Sequence, residues 1–240
     1  MEHKIAIITG SSSGIGKSCA LELLKQKCVV IGIDKEESTI ENTKYTHYVA
    51  DITNESIIIE IIEKVDSENS KIDYLVNAAG TFSNNKPFYD LDIDQWNKVI
   101  SINLTGTFII SKHVAKKMIK NSRGKIVNIS CIRSGIYKSN MCDYASSKAA
   151  VVALTSTMAL DLAKYNIQVN SVAPGFTYTG MTQNAFDQPE IRKSSEALIP
   201  NGKIAMPEDI SPVVMFLLSE SSDYVTGTTI YADGGYRIQK

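Results

Sequence analysis

The sequence predicts an α/β protein: a doubly wound, seven-stranded parallel sheet with helices on both faces. Three observations lead there. Short β-rich apolar runs alternate with longer stretches in which apolar residues recur every three or four positions. A glycine-rich turn closes the first apolar run and opens the first helical one. No internal repeat or low-complexity tract interrupts the alternation, so a single domain over residues 1–240 is expected.

In chain order, strands are expected at residues 4–9, 29–33, 45–50, 73–77, 125–129, 168–173 and 228–232. The principal helices are expected at 15–26, 54–66, 93–119, 144–164 and 208–219. Parallel neighbours need crossover connections, and right-handed helical crossovers cover both faces of such a sheet. With 240 residues, 43% of them hydrophobic, the chain can bury one substantial core. Residues 176–203 form the longest break in periodicity, after the sixth strand. A segment of that length at the carboxyl end of the sheet is expected to be a substrate lid.

Composition narrows the function. With 25 basic and 26 acidic residues the formal net charge is -1, which gives no overall attraction for nucleic acid or an anionic membrane. The first residues run straight into a short strand without the apolar region of an export signal, and no apolar run approaches the ~20 residues of a membrane span. Cys19, Cys28, Cys131 and Cys142 lack CxxC spacing, and His3, His47 and His113 lie far from them in sequence. Neither a metal site nor a redox pair is indicated, and reduced thiols in a cytoplasmic protein are expected.

The first turn reads Thr9-Gly10-Ser11-Ser12-Ser13-Gly14-Ile15-Gly16. Glycines there let backbone N–H groups and a helix N-terminus face an anion, for which a dinucleotide diphosphate is the natural choice. The same glycines also suit tight strand-to-helix packing alone. The second strand ends at Asp34, where a carboxylate would accept hydrogen bonds from adenosine ribose hydroxyls and repel a 2′-phosphate. Asp34 also suits the cap of a following helix. Together with Ser13 in place of a basic residue it points to NAD rather than NADP, although Lys17 and Lys35 lie nearby. Tyr144 and Lys148, four residues apart on a helix, share one face. A neighbouring ammonium favours the phenolate, which would bring a group of ordinary pKa near ~10 closer to use as a base.

These residues, in this order, resemble the short-chain dehydrogenase/reductase superfamily in its short, single-domain, Rossmann-type form, and the resemblance covers nearly the whole chain. It implies that Gly10, Ser12, Ser13, Gly14, Ile15 and Gly16 form the cofactor turn, with Asp51 and Ile52 at the adenine. Asn77-Ala78-Ala79-Gly80 matches an NNAG element whose second Asn is Ala. Pro174 and Gly175 correspond to the turn beside the nicotinamide, with Thr177 and Thr179 beyond it, and Asp233-Gly234-Gly235 to a C-terminal signature. The implied reaction moves a hydride between nicotinamide and a secondary alcohol or carbonyl carbon. In that scheme Tyr144 exchanges the proton, Lys148 lowers its pKa and holds the ribose, and Asn103 positions a water behind Lys148. A homotetramer is implied as well.

The pattern breaks at one place. The family has a serine thirteen residues before the tyrosine, and here that position is Cys131. A thiol is a weaker donor than a hydroxyl. Three readings stay open: Cys131 serves, Ser130 or Ser134 turns in instead, or the enzyme is weakened or specialised. Alternatives to the NAD enzyme are an NADP-linked 3-ketoacyl-type reductase and a dinucleotide-binding regulatory protein. By family position the pocket walls include Arg133, Tyr137, Lys138, Phe176 and Tyr178 as expected substrate contacts, and Arg133 with Lys138 suggests a carboxylated small-molecule substrate.

Overall fold

The strands are β1 (Ile5–Thr9), β2 (Val29–Asp34), β3 (Tyr45–Val49), β4 (Tyr74–Asn77), β5 (Gly124–Ile129), β6 (Ile167–Pro174) and β7 (Thr229–Ala232). In the computed structural model, which describes residues 1–69 and 71–239, they pair in the order β3-β2-β1-β4-β5-β6-β7. Every pairing is parallel. The chain builds outward from β1 to β3 and then returns to lay β4 against the other side of β1. That reversal opens a crevice beyond the carboxyl ends of β1 and β4, where sheets of this kind bind ligands.

The helices are α1 (Gly14–Lys25), α2 (Glu55–Asn69), α3 (Ile93–Ile100), α4 (Thr107–Lys120), α5 (Cys142–Leu162), α6 (Gln183–Phe186), α7 (Pro189–Glu196) and α8 (Pro207–Leu218). Alternation along each strand sends side chains to two cores. Ile7, Ile31, Leu75, Ile126 and Val169 pack with α2, α4 and α5 on one face. Ala6, Ile8, Val30, Val76, Val127 and Val172 pack with α1 and α8 on the other. Burial on both faces explains why the central strands read as nearly continuous apolar runs, while β3 at the edge is partly exposed. Among the described residues no helix is long and apolar enough to cross a membrane, and all four cysteines are free.

Two expectations need correction. The single helix expected at 93–119 is two helices joined by a π turn, Ser101–Gly106. Asn103, fully buried in that turn, is held by three side-chain hydrogen bonds to neighbouring segments, which reward the widened register. The break at 176–203 contains α6 and α7, whose few apolar contacts sit on a small cluster of Phe186, Ile199 and Ile204, with Phe176 and Tyr178 against it.

Candidate active site

A cleft of about 700 Å³ fills the crevice. Its floor begins at the β1–α1 turn. Gly10 has φ +68°, and a Cβ there would lie 2.7 Å from the Ala79 nitrogen, so glycine is required twice over. A Cβ on Gly16 would run into the Gly10 carbonyl, which brings α1 close to the strand. Ser13 makes no side-chain cap and the first turn of α1 carries no acid, so its N–H groups and dipole are available to an anion. Gly10, Ser13, Gly14, Ile15 and Gly16 line the cleft; Ser12 does not. The Ser12 N–H instead donates to an Asp34 carboxylate oxygen at 3.0 Å, and its hydroxyl donates to the Glu36 carbonyl at 2.9 Å. Asp34, Asp51 and Ile52 line the end of the cleft beyond β2 and β3.

The segment after β4 forms the opposite wall. The N–H groups of Ala78 and Ala79 both donate to the Thr9 hydroxyl, each at 3.2 Å. Gly80 lines the cleft, where a Cβ would come 3.2 Å from Asn103 Oδ1 and 3.5 Å from Lys148 Nζ. Asn77 faces away from the cofactor position expected for it: its amide donates to Ser111 Oγ at 2.9 Å and Asn128 Oδ1 at 2.8 Å, tying the sheet to the helices behind it.

Tyr144 and Lys148 lie together on α5, 7% and 6% exposed. The Lys148 ammonium donates to the Ile129 carbonyl at 2.9 Å, at the carboxyl end of β5, and sits 5.8 Å from the centre of the Tyr144 ring. Phe82 packs on that ring at 4.8 Å. Burial pushes the Tyr144 phenol well above its ordinary pKa, and the adjoining Cys131 pushes the same way. Burial brings Lys148 down to about 8, partly offset by Cys131. Tyr144 is thus raised, by desolvation first, where a lowering by Lys148 was expected. The cation that pulls Tyr144 back is the Arg133 guanidinium.

The side chain hydrogen-bonded to Tyr144 is Cys131, which lines the cleft. The Ser130 hydroxyl donates to the Val172 carbonyl at 3.1 Å and accepts from Ser171 at 2.8 Å. That of Ser134 donates to the Cys131 carbonyl at 2.7 Å. Both serines are thus occupied with backbone, and the thiol keeps the position that counting assigned to it. Asn103 does not line the cleft. Its Oδ1 accepts from the Thr81 N–H at 2.7 Å, while its Nδ2 donates to the Thr81 carbonyl and to Ser147 Oγ, each at 3.0 Å. Ser147 in turn donates to the Tyr144 carbonyl at 2.7 Å, so Asn103 couples the wall after β4 to the helix that carries the tyrosine. Ser147 was not singled out from sequence; its place one turn after Tyr144 on the buried side was the available signal.

Pro174, Gly175, Phe176, Thr177 and Thr179 line the cleft, and Thr179 rests over Gly14, 3.3 Å from where a Cβ would stand. Arg133 lines it too and is 7% exposed. Tyr137 and Tyr178, expected as substrate contacts, do not. Tyr137 is exposed on the loop before α5, and the Tyr178 hydroxyl donates to Asp187 at 2.7 Å. Tyr236, which sequence reading passed over, reaches Arg133 from the C-terminal segment.

The family model described as enoyl-(acyl carrier protein) reductase matches residues 10–237. The chain belongs to the short-chain dehydrogenase/reductase family. This short-chain dehydrogenase/reductase is 37% identical to the 3-oxoacyl-[acyl-carrier-protein] reductase FabG of Thermotoga maritima, over 99% of each chain. It is 33% identical to the FabG of Aquifex aeolicus, over 98% of each. Among solved structures it is similar to Thermoplasma acidophilum aldohexose dehydrogenase in ligand-free form, with TM-score 0.94, 30% identity and coverage of 100% and 96%. It is also similar to ElxO with NADP bound, with TM-score 0.92, 31% identity and full coverage of both chains. It is an oxidoreductase acting on C=O or CH–OH groups with a nicotinamide dinucleotide. The residues fit that cofactor: an uncapped helix N-terminus, Gly10, Gly14 and Gly80 along the cleft wall, and the Asp34 carboxylate at its end.

Proposed function

We propose that this short-chain dehydrogenase/reductase uses NAD to interconvert a secondary alcohol and its carbonyl, with Tyr144 exchanging the proton at the substrate oxygen. The observation that carries the proposal is the buried Tyr144, hydrogen-bonded to Cys131 and backed by Lys148, in one cleft with the glycine-rich turn. The nicotinamide, when bound, supplies or takes the hydride. The α1 N-terminus and Gly14 hold the diphosphate, Asp34 the adenosine ribose, Asp51 and Ile52 the adenine, and Lys148 the second ribose. Ala78, Ala79 and Gly80 form the wall opposite, while Pro174, Gly175, Thr177 and Thr179 close over the nicotinamide end. In reduction, Tyr144 gives its proton to the carbonyl oxygen and Cys131 donates a second, weaker hydrogen bond to it. Asn103 positions α5 against the wall after β4.

Asp34 supports NAD over NADP. Its carboxylate is fixed by the N–H groups of Ser12 and Glu36, and Glu36 and Asp51 line the same end of the cleft. A 2′-phosphate placed there meets three carboxylates against Lys35 alone. The relatives named 3-oxoacyl-[acyl-carrier-protein] reductase and the NADP bound to ElxO favour the second reading, an NADP-linked 3-ketoacyl-type reductase. Fluorescence titration with NADH and NADPH separates the two. The proposal expects NADH to bind more tightly; tighter NADPH binding overturns the NAD assignment.

Residues 1–240 form a single domain in this reading, with 176–203 as a lid whose Thr179 already rests on the cofactor turn. We further propose a cytoplasmic homotetramer. Exposed Phe108 on α4 and Leu160 on α5 supply apolar surface for subunit contacts, and light scattering measures the number of chains directly.

A further inference from the structure

Arg133 stands two residues beyond Cys131, in a 3-10 turn between β5 and α5. It is 7% exposed and lines the cleft. Its guanidinium carbon lies 6.0 Å from the centre of the Phe176 ring and 5.9 Å from that of Tyr236. The two rings meet edge to face, 5.1 Å apart. Cation–π contact of this kind holds a guanidinium in place while leaving its in-plane N–H donors available. One of those donors reaches the Ile136 carbonyl at 3.3 Å. The arginines that pair with carboxylates are Arg123 with Glu220 and Arg192 with Glu196; Arg133 has no such partner among the described residues.

Retaining a buried guanidinium without a counter-anion is costly, and a cavity wall is where a ligand can supply one. The charges along the cleft are sorted accordingly. The carboxylates that line it, Asp34, Glu36 and Asp51, lie at or just after the ends of β2 and β3, at the end assigned to adenosine. Of the residues in 131–141 and 174–195 that line the cleft, Arg133 and Lys138 are basic and none is acidic. The Arg133 charge is felt at the Tyr144 hydroxyl, so the cation and the proton-exchanging group serve one small volume.

We infer that the substrate is a small oxo or hydroxy acid whose free carboxylate is held by Arg133 beside the reacting carbon, and that Phe176 and Tyr236 position the guanidinium for it. This rests on the carbonyl–alcohol reading above and narrows it: a free acid is selected over an ester or thioester of the same skeleton. Tyr236 is a positioning residue, and through it the C-terminal segment takes part in specificity. Lys138, exposed at the same wall, guides the anion inward.

The test compares C4 to C8 2-oxo and 3-oxo acids with their methyl esters, with NADH, by kcat/KM and by binding to the enzyme–NADH complex. Acids should exceed esters by about 10- to 100-fold, the value of a charge-assisted hydrogen-bonded pair. Arg133→Gln should collapse that ratio toward one, with NADH affinity reporting that the variant is folded. Arg133→Lys should recover part of the ratio, because it restores the charge without the fork. Tyr236→Leu should lower the ratio through the KM of the acid, which a general loss of stability would not do. Equal handling of acid and ester by the native enzyme, or a preference that survives Arg133→Gln, overturns the inference. Failure of the underlying reading looks different: no carbonyl of either kind consumes NADH, while binding of acid over ester to the NADH complex still decides the Arg133 site.

Discussion

Tyr144 and Lys148 are shifted in opposite directions by the same cause. Desolvation favours the neutral form of each, so the phenol keeps its proton across neutral pH while the ammonium is half deprotonated at about 8. A protonated phenol is the form needed to reduce a carbonyl; the phenolate is the form needed to oxidise an alcohol. Reduction should therefore be flat from pH 6 to about 7.5 and decline above about 8, as deprotonation removes the Lys148 charge proposed to support the bound ribose. Oxidation should gain up to about pH 8, as the small phenolate fraction grows, and level off as the Lys148 charge is lost. Profiles of kcat/KM in both directions check this, and a reduction rate that climbs above pH 8 would contradict it. Cys131 gives a second prediction. Exchanging its thiol for a hydroxyl puts a stronger donor against the same oxygen, so Cys131→Ser should raise turnover about 3- to 10-fold, equivalent to about 0.5–1.5 kcal/mol. Unchanged turnover would remove the thiol from the reaction. Counting along the sequence put Cys131 thirteen residues before Tyr144 and left Ser130 and Ser134 open; that the Val172 carbonyl occupies Ser130 was not legible, because it depends on where β6 lies.

At the scale of elements, the strands were legible to within a residue or two at each end. Both faces of the central strands are covered, so their interiors are largely apolar and turn residues mark their limits. The π turn at Ser101–Gly106 was not legible. The apolar spacing continues through it, and the bonds that pay for the widened register come from Thr81 and Ser147, distant in sequence. That turn also shapes the cofactor site, because Gly106 lets it approach Ile52. A Cβ at Gly106 would lie 2.5 Å from Ile52 Cδ1, at the end of the cleft proposed for the adenine. Gly106→Ala should displace Ile52 and weaken NADH binding about 3- to 10-fold, with a smaller effect on kcat, since Tyr144 lies elsewhere in the cleft. Titration of the variant reads this out; unaltered affinity would show that Ile52 does not bear on the adenine. Residues 176–203 stood out as a loss of periodicity, whereas α6 and α7 within them did not, because they are short and polar and rest on only a small apolar cluster.

For the whole molecule, the order of motifs carried more than any one of them. A tyrosine and a lysine four residues apart are commonplace on a helix surface, and a glycine-rich turn alone shows only a place for an anion. The sheet joins them: its reversal between β1 and β4 brings α1, the wall after β4, the β5 terminus and α5 around one cleft. The pairing of Arg133 with Phe176 and Tyr236 arises from the same convergence, which is why Arg133 reads as an exposed loop residue in sequence and is buried in the fold. The most direct test of the account follows NADH absorbance at 340 nm with a panel of oxo acids and ketones, for the native enzyme and Tyr144→Phe. The native enzyme should consume NADH, and Tyr144→Phe should bind NADH equally but turn over about 10²- to 10⁴-fold more slowly, the usual worth of positioned proton transfer. Turnover by Tyr144→Phe at the native rate, or no consumption of NADH by the native enzyme with any carbonyl, would contradict it.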